Sequence, residues 1–195
     1  MSANKTQYSV LIVTGTEKGI SFITEMLDPV IYNPVIPLKS AGEGRRMLIT
    51  NNFDLVVINT PLTDEFGYEF ALTVAEKKDA EIILIVKNEM FDEISYRVED
   101  YGILTVSKPL SKPFFHQVLK LCAATSEKLK IFKTENLRLQ GKLEEQRTIE
   151  RAKWALMQYL SMSEAQAHRY IEKQAMDMRI SKKSLAENII KTYES

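Results

Sequence analysis

The residues equipped for chemistry fall into two groups. In the first, polar side chains stand at the ends of short apolar runs: Thr14–Gly15, Asn59–Thr60, Val86–Lys87 and Ser107–Lys108. This group offers an amide, hydroxyls and amines, but no nucleophile with a base beside it. The second group is basic with interleaved rings: Arg151, Lys153, Arg169, Lys173, Arg179, Lys182 and Lys183, with Trp154, Tyr159, His168 and Tyr170. Cations that meet phosphates, next to flat groups that meet bases, suit a polyanion such as a nucleic acid. Trp154 and Tyr170 are expected to pack within the fold rather than stack on a base. His116 and His168 stand far apart without a cysteine neighbour, so no zinc site is expected. Without a metal cluster or a glycine-rich phosphate loop, the chain is expected to be no enzyme and to need no cofactor.

The bulk properties are those of an ordinary globular chain. The 195 residues are 45% hydrophobic and 27% charged, enough for a sizeable core. No apolar run is long enough for a membrane span and the start carries no signal-peptide core, so a cytoplasmic protein is expected. A single cysteine, Cys122, excludes an internal disulfide and fits a reducing compartment. The net charge is zero but polarised. Residues 1–115 hold 11 Lys+Arg against 16 Asp+Glu, and residues 116–195 hold 15 against 10. The second half is therefore the one suited to a polyanion.

The elements that position the first group read as a doubly wound α/β domain. Tyr8–Val13, Val35–Leu38, Leu55–Ile58, Ile82–Val86 and Leu104–Val106 are short, rich in Val, Ile and Leu, and nearly unbroken, as strands buried on both faces must be. Pro37 sends the second to an edge. Helical spacing between them completes a five-stranded parallel sheet, whose chemistry sits at the carboxyl ends of the strands. From Ser111 to about Leu160 a long helix is predicted, with Pro113 at its tolerant start. A heptad runs along it through Val118, Cys122, Thr125, Leu129, Phe132, Asn136, Leu139, Leu143 and Gln146. Leu129, Phe132, Asn136, Leu139 and Leu143 are the expected dimer seam, with the buried asparagine favouring two strands. Ser163 with Gln166 is a capping box for a helix over Glu164–Met178, with Ala167, Ile171, Ala175 and Met178 on one stripe. Ser181 caps a third helix carrying Leu185, Ala186, Ile189 and Ile190, which makes a small helical bundle.

Three stretches, "VLIVTGTEKG", "DLVVINTPLTDEFG" and "VSKPLSKPFF", resemble the receiver domain of response regulators over about residues 8–122. The resemblance implies the flavodoxin-like receiver fold and a phosphorylation site. In this chain the acidic pair of that site falls on Thr14 and Gly15, the acceptor aspartate on Asn59, and the hydroxyl on Val86 or Lys87. Only Lys108, followed by Pro109, is retained. A neutral amide is no nucleophile toward a phosphodonor, and magnesium needs carboxylate oxygens. The expectation is a pseudo-receiver, with Lys108 contacting the Asn59 or Thr60 oxygens or lying in solvent. Glu17 and Asp64, the nearest carboxylates, are read as loop residues.

The tail, residues 149–190, resembles the ANTAR domain of transcription antiterminators. The matches are Ala152, Lys153, Leu156, Met157, Ser163, Glu164, Ala167, Ala175, Arg179, Leu185 and Ala186, while the family's common glycine after the lysine is Trp154. The resemblance implies a homodimer that binds paired RNA hairpin loops in an mRNA leader and prevents terminator formation. Its contacts are expected at Lys153 and Arg179 first, then at Lys182, Lys183, Arg151 and Lys173. The expected domains are a receiver-like domain over 1–115, a coiled-coil linker helix over 116–147 and the ANTAR domain over 148–195. A sensor or regulatory protein would replace the lost input. A DNA-binding regulator and a protein-interaction scaffold are the alternative readings.

Overall fold

A computed structural model of the chain describes residues 7–193. Five parallel strands run in the order β2-β1-β3-β4-β5, with β1 at Tyr8–Thr14, β2 at Tyr32–Leu38, β3 at Leu55–Asn59, β4 at Glu81–Lys87 and β5 at Leu104–Lys108. The strand order reverses between β1 and β3, which places Thr14 beside Asn59 in register. β2 lies at an edge, as Pro37 requires, and β5 at the other. Every strand but β2 runs one or two residues beyond its apolar run, to Thr14, Asn59, Lys87 or Lys108. Ladder hydrogen bonds belong to the backbone, so a polar side chain does not end a strand.

Helices α1 (Glu17–Thr24), α2 (Ala41–Thr50), α3 (Tyr68–Lys77) and α4 (Phe91–Val98) follow the first four strands. Because residue period two sends alternate side chains to opposite faces, each central strand feeds two cores. Leu11, Val13, Val56, Ile58 and Leu84 meet Phe70, Ala71, Val74, Ile94 and Val98 on one side. Val10, Ile12, Val57, Ile83 and Ile85 meet Ile23, Phe115, Val118, Leu119 and Cys122 on the other. Burial pushes the Cys122 thiol up to about 12, so it stays protonated at neutral pH.

Helix α5 (Lys112–Leu160) is continuous, Gly141 included. The linker expected to start at residue 116 does not start there. Val118, Leu119 and Cys122 are 7%, 3% and 6% exposed against the sheet, so the first two heptad positions are sheet core. Compact units meet at Lys128/Leu129. In the second unit, the end of α5 joins α6 (Glu164–Met178) and α7 (Lys182–Tyr193) around Ala152, Ala155, Leu156, Ala167, Ile171, Ala175, Leu185, Ala186 and Ile189. Alanines at five of these positions let the helices approach closely. The capping box of Ser163 and Gln166 forms as expected, and the Ser181 hydroxyl accepts from the Ser184 amide at 3.1 Å. Met178 leaves the apolar stripe and is 59% exposed, because α6 ends there and nothing packs on its last residue. Among the described residues no helix is long and apolar enough to cross a membrane.

The receiver-like core is tightly packed where α2 meets α3. A Cβ on Gly44 would stand 2.5 Å from Cζ of fully buried Phe70. Gly44→Ala gains about 1 kcal/mol of helix propensity. Overpacking costs about 1–3 kcal/mol and outweighs it. Chemical denaturation is therefore expected to show net destabilisation, and a gain in midpoint would refute the packing argument.

Candidate functional site

At the carboxyl edge of the sheet, the Asn59 Nδ2 donates to Thr14 Oγ1 at 3.0 Å, and its Oδ1 is buried without a hydrogen-bond partner. Thr14 is 1% exposed. α1 presses on this pair through Gly19, whose Cβ, if present, would stand 2.5 Å from Thr14 Oγ1 and 2.8 Å from Asn59 Nδ2. At Gly15 a Cβ would come within 3.1 Å of the Pro61 carbonyl oxygen, so the loop after β3 occupies the space a carboxylate side chain would need. Val86 is fully buried and Lys87 exposed, and neither supplies a hydroxyl.

Lys108, on β5, donates from Nζ to the Thr60 carbonyl at 2.6 Å, one of the expected alternatives. Burial, then the nearby Lys87, pulls its ammonium below the ordinary lysine value. The two neighbouring carboxylates are both engaged elsewhere. Asp64 accepts from the Ala41 and Gly42 amides at 2.9 and 2.8 Å, and those bonds, Gly42 first, hold its carboxyl below its usual range. Glu17 pairs with Lys39. Among the described residues no cluster of His, Cys, Asp or Glu is able to hold a metal.

In the bundle, Lys153 departs from the role expected of it. It is 6% exposed, and its Nζ lies 2.8 Å from Glu150 and 3.1 Å from Glu164. These two partners, Glu150 first, raise its pKa above 10.5. A buried, doubly neutralised ammonium ties α5 to the start of α6; it does not present a cation to phosphate. Lys182 is paired as well, with Glu172, which also lies 3.5 Å from His168. Lys173 and Arg179 are exposed, as is Arg151, while Lys183 is half-buried. Arg179 holds the left-handed conformation, φ 55° and ψ 39°, that ends α6. A non-glycine residue there carries a cost of about 1–3 kcal/mol, and observed strain of this kind is a pointer to function. Trp154 also departs from expectation. It is 67% exposed rather than packed, and Tyr170 is exposed as well, at 37%. Its neighbours Lys153 and Ala155 take the inward positions on α5, so the indole falls on the outer face. Sequence reasoning named neither Arg147 nor Lys191. Together with Arg151 they line a groove between α5 and α7 that only the packing of the two helices creates.

A five-stranded parallel sheet of the receiver fold is followed by a basic helical bundle. Comparison with known proteins agrees in both parts. Residues 137–190 match the ANTAR domain. It is similar to the transcriptional regulatory protein PdtaR of Mycobacterium tuberculosis, at 26% identity over 171 residues, covering 87% of this chain and 83% of the relative. For the fold, it resembles the signal receiver domain of an HD domain-containing protein from Pseudomonas fluorescens, with TM-score 0.57 and 16% identity over 67% of this chain and 95% of that one. The chemotaxis response regulator CheY4 of Vibrio cholerae is similar too, with TM-score 0.53 and 17% identity over 60% and 99%.

The placement of Lys153 yields a direct test. Both carboxylate partners are largely exposed, so the ion pairs contribute at most about 1 kcal/mol. The buried stem contributes packing of its own. Lys153→Met is expected to keep the bundle within about 1 kcal/mol of wild type, and Lys153→Ala to cost more. Because the folded pKa is raised, the ion-pair part is fully present at neutral pH and is lost as pH rises through the folded value. Thermal melts at neutral pH measure the ordering; equal melts for the two variants would sink it.

Proposed function

We propose that the chain is a dimeric RNA-binding regulator of transcription antitermination, which holds paired hairpin loops of a nascent mRNA leader and so prevents terminator formation. The ANTAR match over residues 137–190 carries this reading. The exposed cations of the bundle support it, with Arg179 and Lys173 as the leading contacts, Lys183 and Arg151 beside them, and Lys182 in reserve because of its carboxylate partner. Lys153 serves the bundle's stability instead.

The dimer seam is Leu129, Phe132, Asn136, Leu139 and Leu143. Leu129, Leu139 and Leu143 remain 51%, 48% and 55% exposed on α5, a stripe suited to a second copy of the same helix. Two linked sites then engage two linked loops, and effective concentration supplies affinity that neither site has alone. The receiver-like domain works without phosphorylation in this reading, and a sensor or regulatory protein in the cytoplasm provides the input.

Gel shifts with tandem stem-loop RNAs of randomised loop sequence test the main reading. Arg179→Gly removes the charge while suiting the left-handed backbone, so folding is preserved. Its binding is expected to fall several-fold, with the salt slope flattened by about 0.7–0.9 per lost phosphate contact. Leu139→Glu with Leu143→Glu is expected to give a monomer by sedimentation and to abolish the advantage of tandem over single hairpins. Absence of any retained RNA, or preference for duplex DNA, would refute the proposal.

The pseudo-receiver has its own test. Incubated with acetyl phosphate and magnesium, the wild type and Asn59→Asp are both expected to keep their unmodified mass, since Thr14 and Gly15 supply no carboxylate for the ion. A phosphoryl mass increment on the aspartate variant would show that the edge still assembles a metal site.

A further inference from the structure

Arg147, Arg151 and Trp154 follow one another at i, i+4 and i+7 on α5, the spacing that places side chains on one helical face. Beside them lies a groove of about 420 Å³ in which Arg147, Thr148 and Arg151 of α5 face Glu187, Ile190 and Lys191 of α7. Three cations and one carboxylate line it, a strong positive balance for so small a space. The indole next to it is 67% exposed, on the side of α5 away from the bundle core. Tyr159 is partly accounted for, its ring stacked on Tyr193 at 5.6 Å. Trp154 has no such role inside the bundle, where Ala152, Ala155 and Leu156 fill the core positions of the same turns.

Resting on the RNA reading above, we infer that Trp154 is the base-stacking platform of this chain. In this arrangement an unpaired loop base lies on the indole, while Arg147, Arg151 and Lys191 hold the adjoining phosphates. The physical logic is the division of labour found in single-strand recognition: cations track the backbone and an aromatic face takes the base. A paired base offers no free face, so the platform selects loops over duplex. Glu187 accepts hydrogen bonds only, which favours a base carrying an exocyclic amino group at the groove.

The chain holds a single tryptophan, so its fluorescence reports on this residue alone. The probe is an RNA that the full-length protein selects from tandem stem-loops with randomised loops, compared with the same stems closed into continuous duplex. Saturable quenching with the loop RNA, parallel to the gel shift and absent with duplex, is the expected result. Trp154→Ala should weaken loop binding roughly 5- to 100-fold, and Trp154→Phe should recover most of it. Circular dichroism melts should be unchanged in both, as the side chain is largely outside the core. If loop RNA shifts in the gel while fluorescence stays constant and Trp154→Ala binds as wild type, the platform is wrong and the RNA reading stands. If no RNA is selected, the RNA reading itself has failed. Fluorescence that follows protein concentration instead of RNA would place the indole in self-association and overturn the inference.

Discussion

The structure depends on one constraint, that a single uninterrupted helix supplies a wall to two separate cores. Near its start α5 contributes Phe115, Val118, Leu119 and Cys122 to the sheet, and near its end Ala152, Ala155 and Leu156 to the bundle. Burial of those apolar groups at each end holds the helix in both units, at roughly 1.5–3 kcal/mol for each large side chain removed from water. Between the two, apolar residues such as Leu129, Leu137 and Leu143 are 51%, 69% and 55% exposed. A stretch of this kind is costly for a monomer and suited to a partner helix.

The sheet edge is organised around a local hydrogen bond. With Thr14 and Asn59 in register on neighbouring strands, the amide and hydroxyl bond each other directly, and Gly19 allows α1 to cover them. Lys108 turns to a backbone carbonyl. The scaffold keeps its shape because its stability comes from Val, Ile and Leu on both sheet faces and not from the polar residues at the strand ends. Function can be lost at such an edge without loss of fold.

The bundle divides its basic residues by a similar economy of placement. Lys153 and Lys182 face carboxylates and join elements, whereas Arg179 and Lys173 stand on the surface. Charge count alone does not separate these roles. A lysine bound by two carboxylates and buried among alanines contributes to cohesion, and an equal charge a few turns away remains available to a polyanion.

The order of elements, the parallel sheet with β2 at its edge, the long helix and the capped helices of the tail were all legible in the residues. These follow from local patterning, since period two, period 3.6 and cap residues are written in consecutive positions. The residues at the strand ends, Thr14, Gly15 and Asn59, were equally legible, because residue identity needs no coordinates. What only the tertiary structure decided is which equivalent-looking residues face what. Val118 and Cys122 continue the heptad on paper but pack on the sheet, because strands far away in sequence reach them first. Lys153 became a clip because Glu164, eleven residues on across a turn, closes on it. Trp154, beside it in the chain, faces outward because its neighbours on α5 took the inward positions. Side-chain partners across helices depend on packing geometry, and no local pattern encodes that.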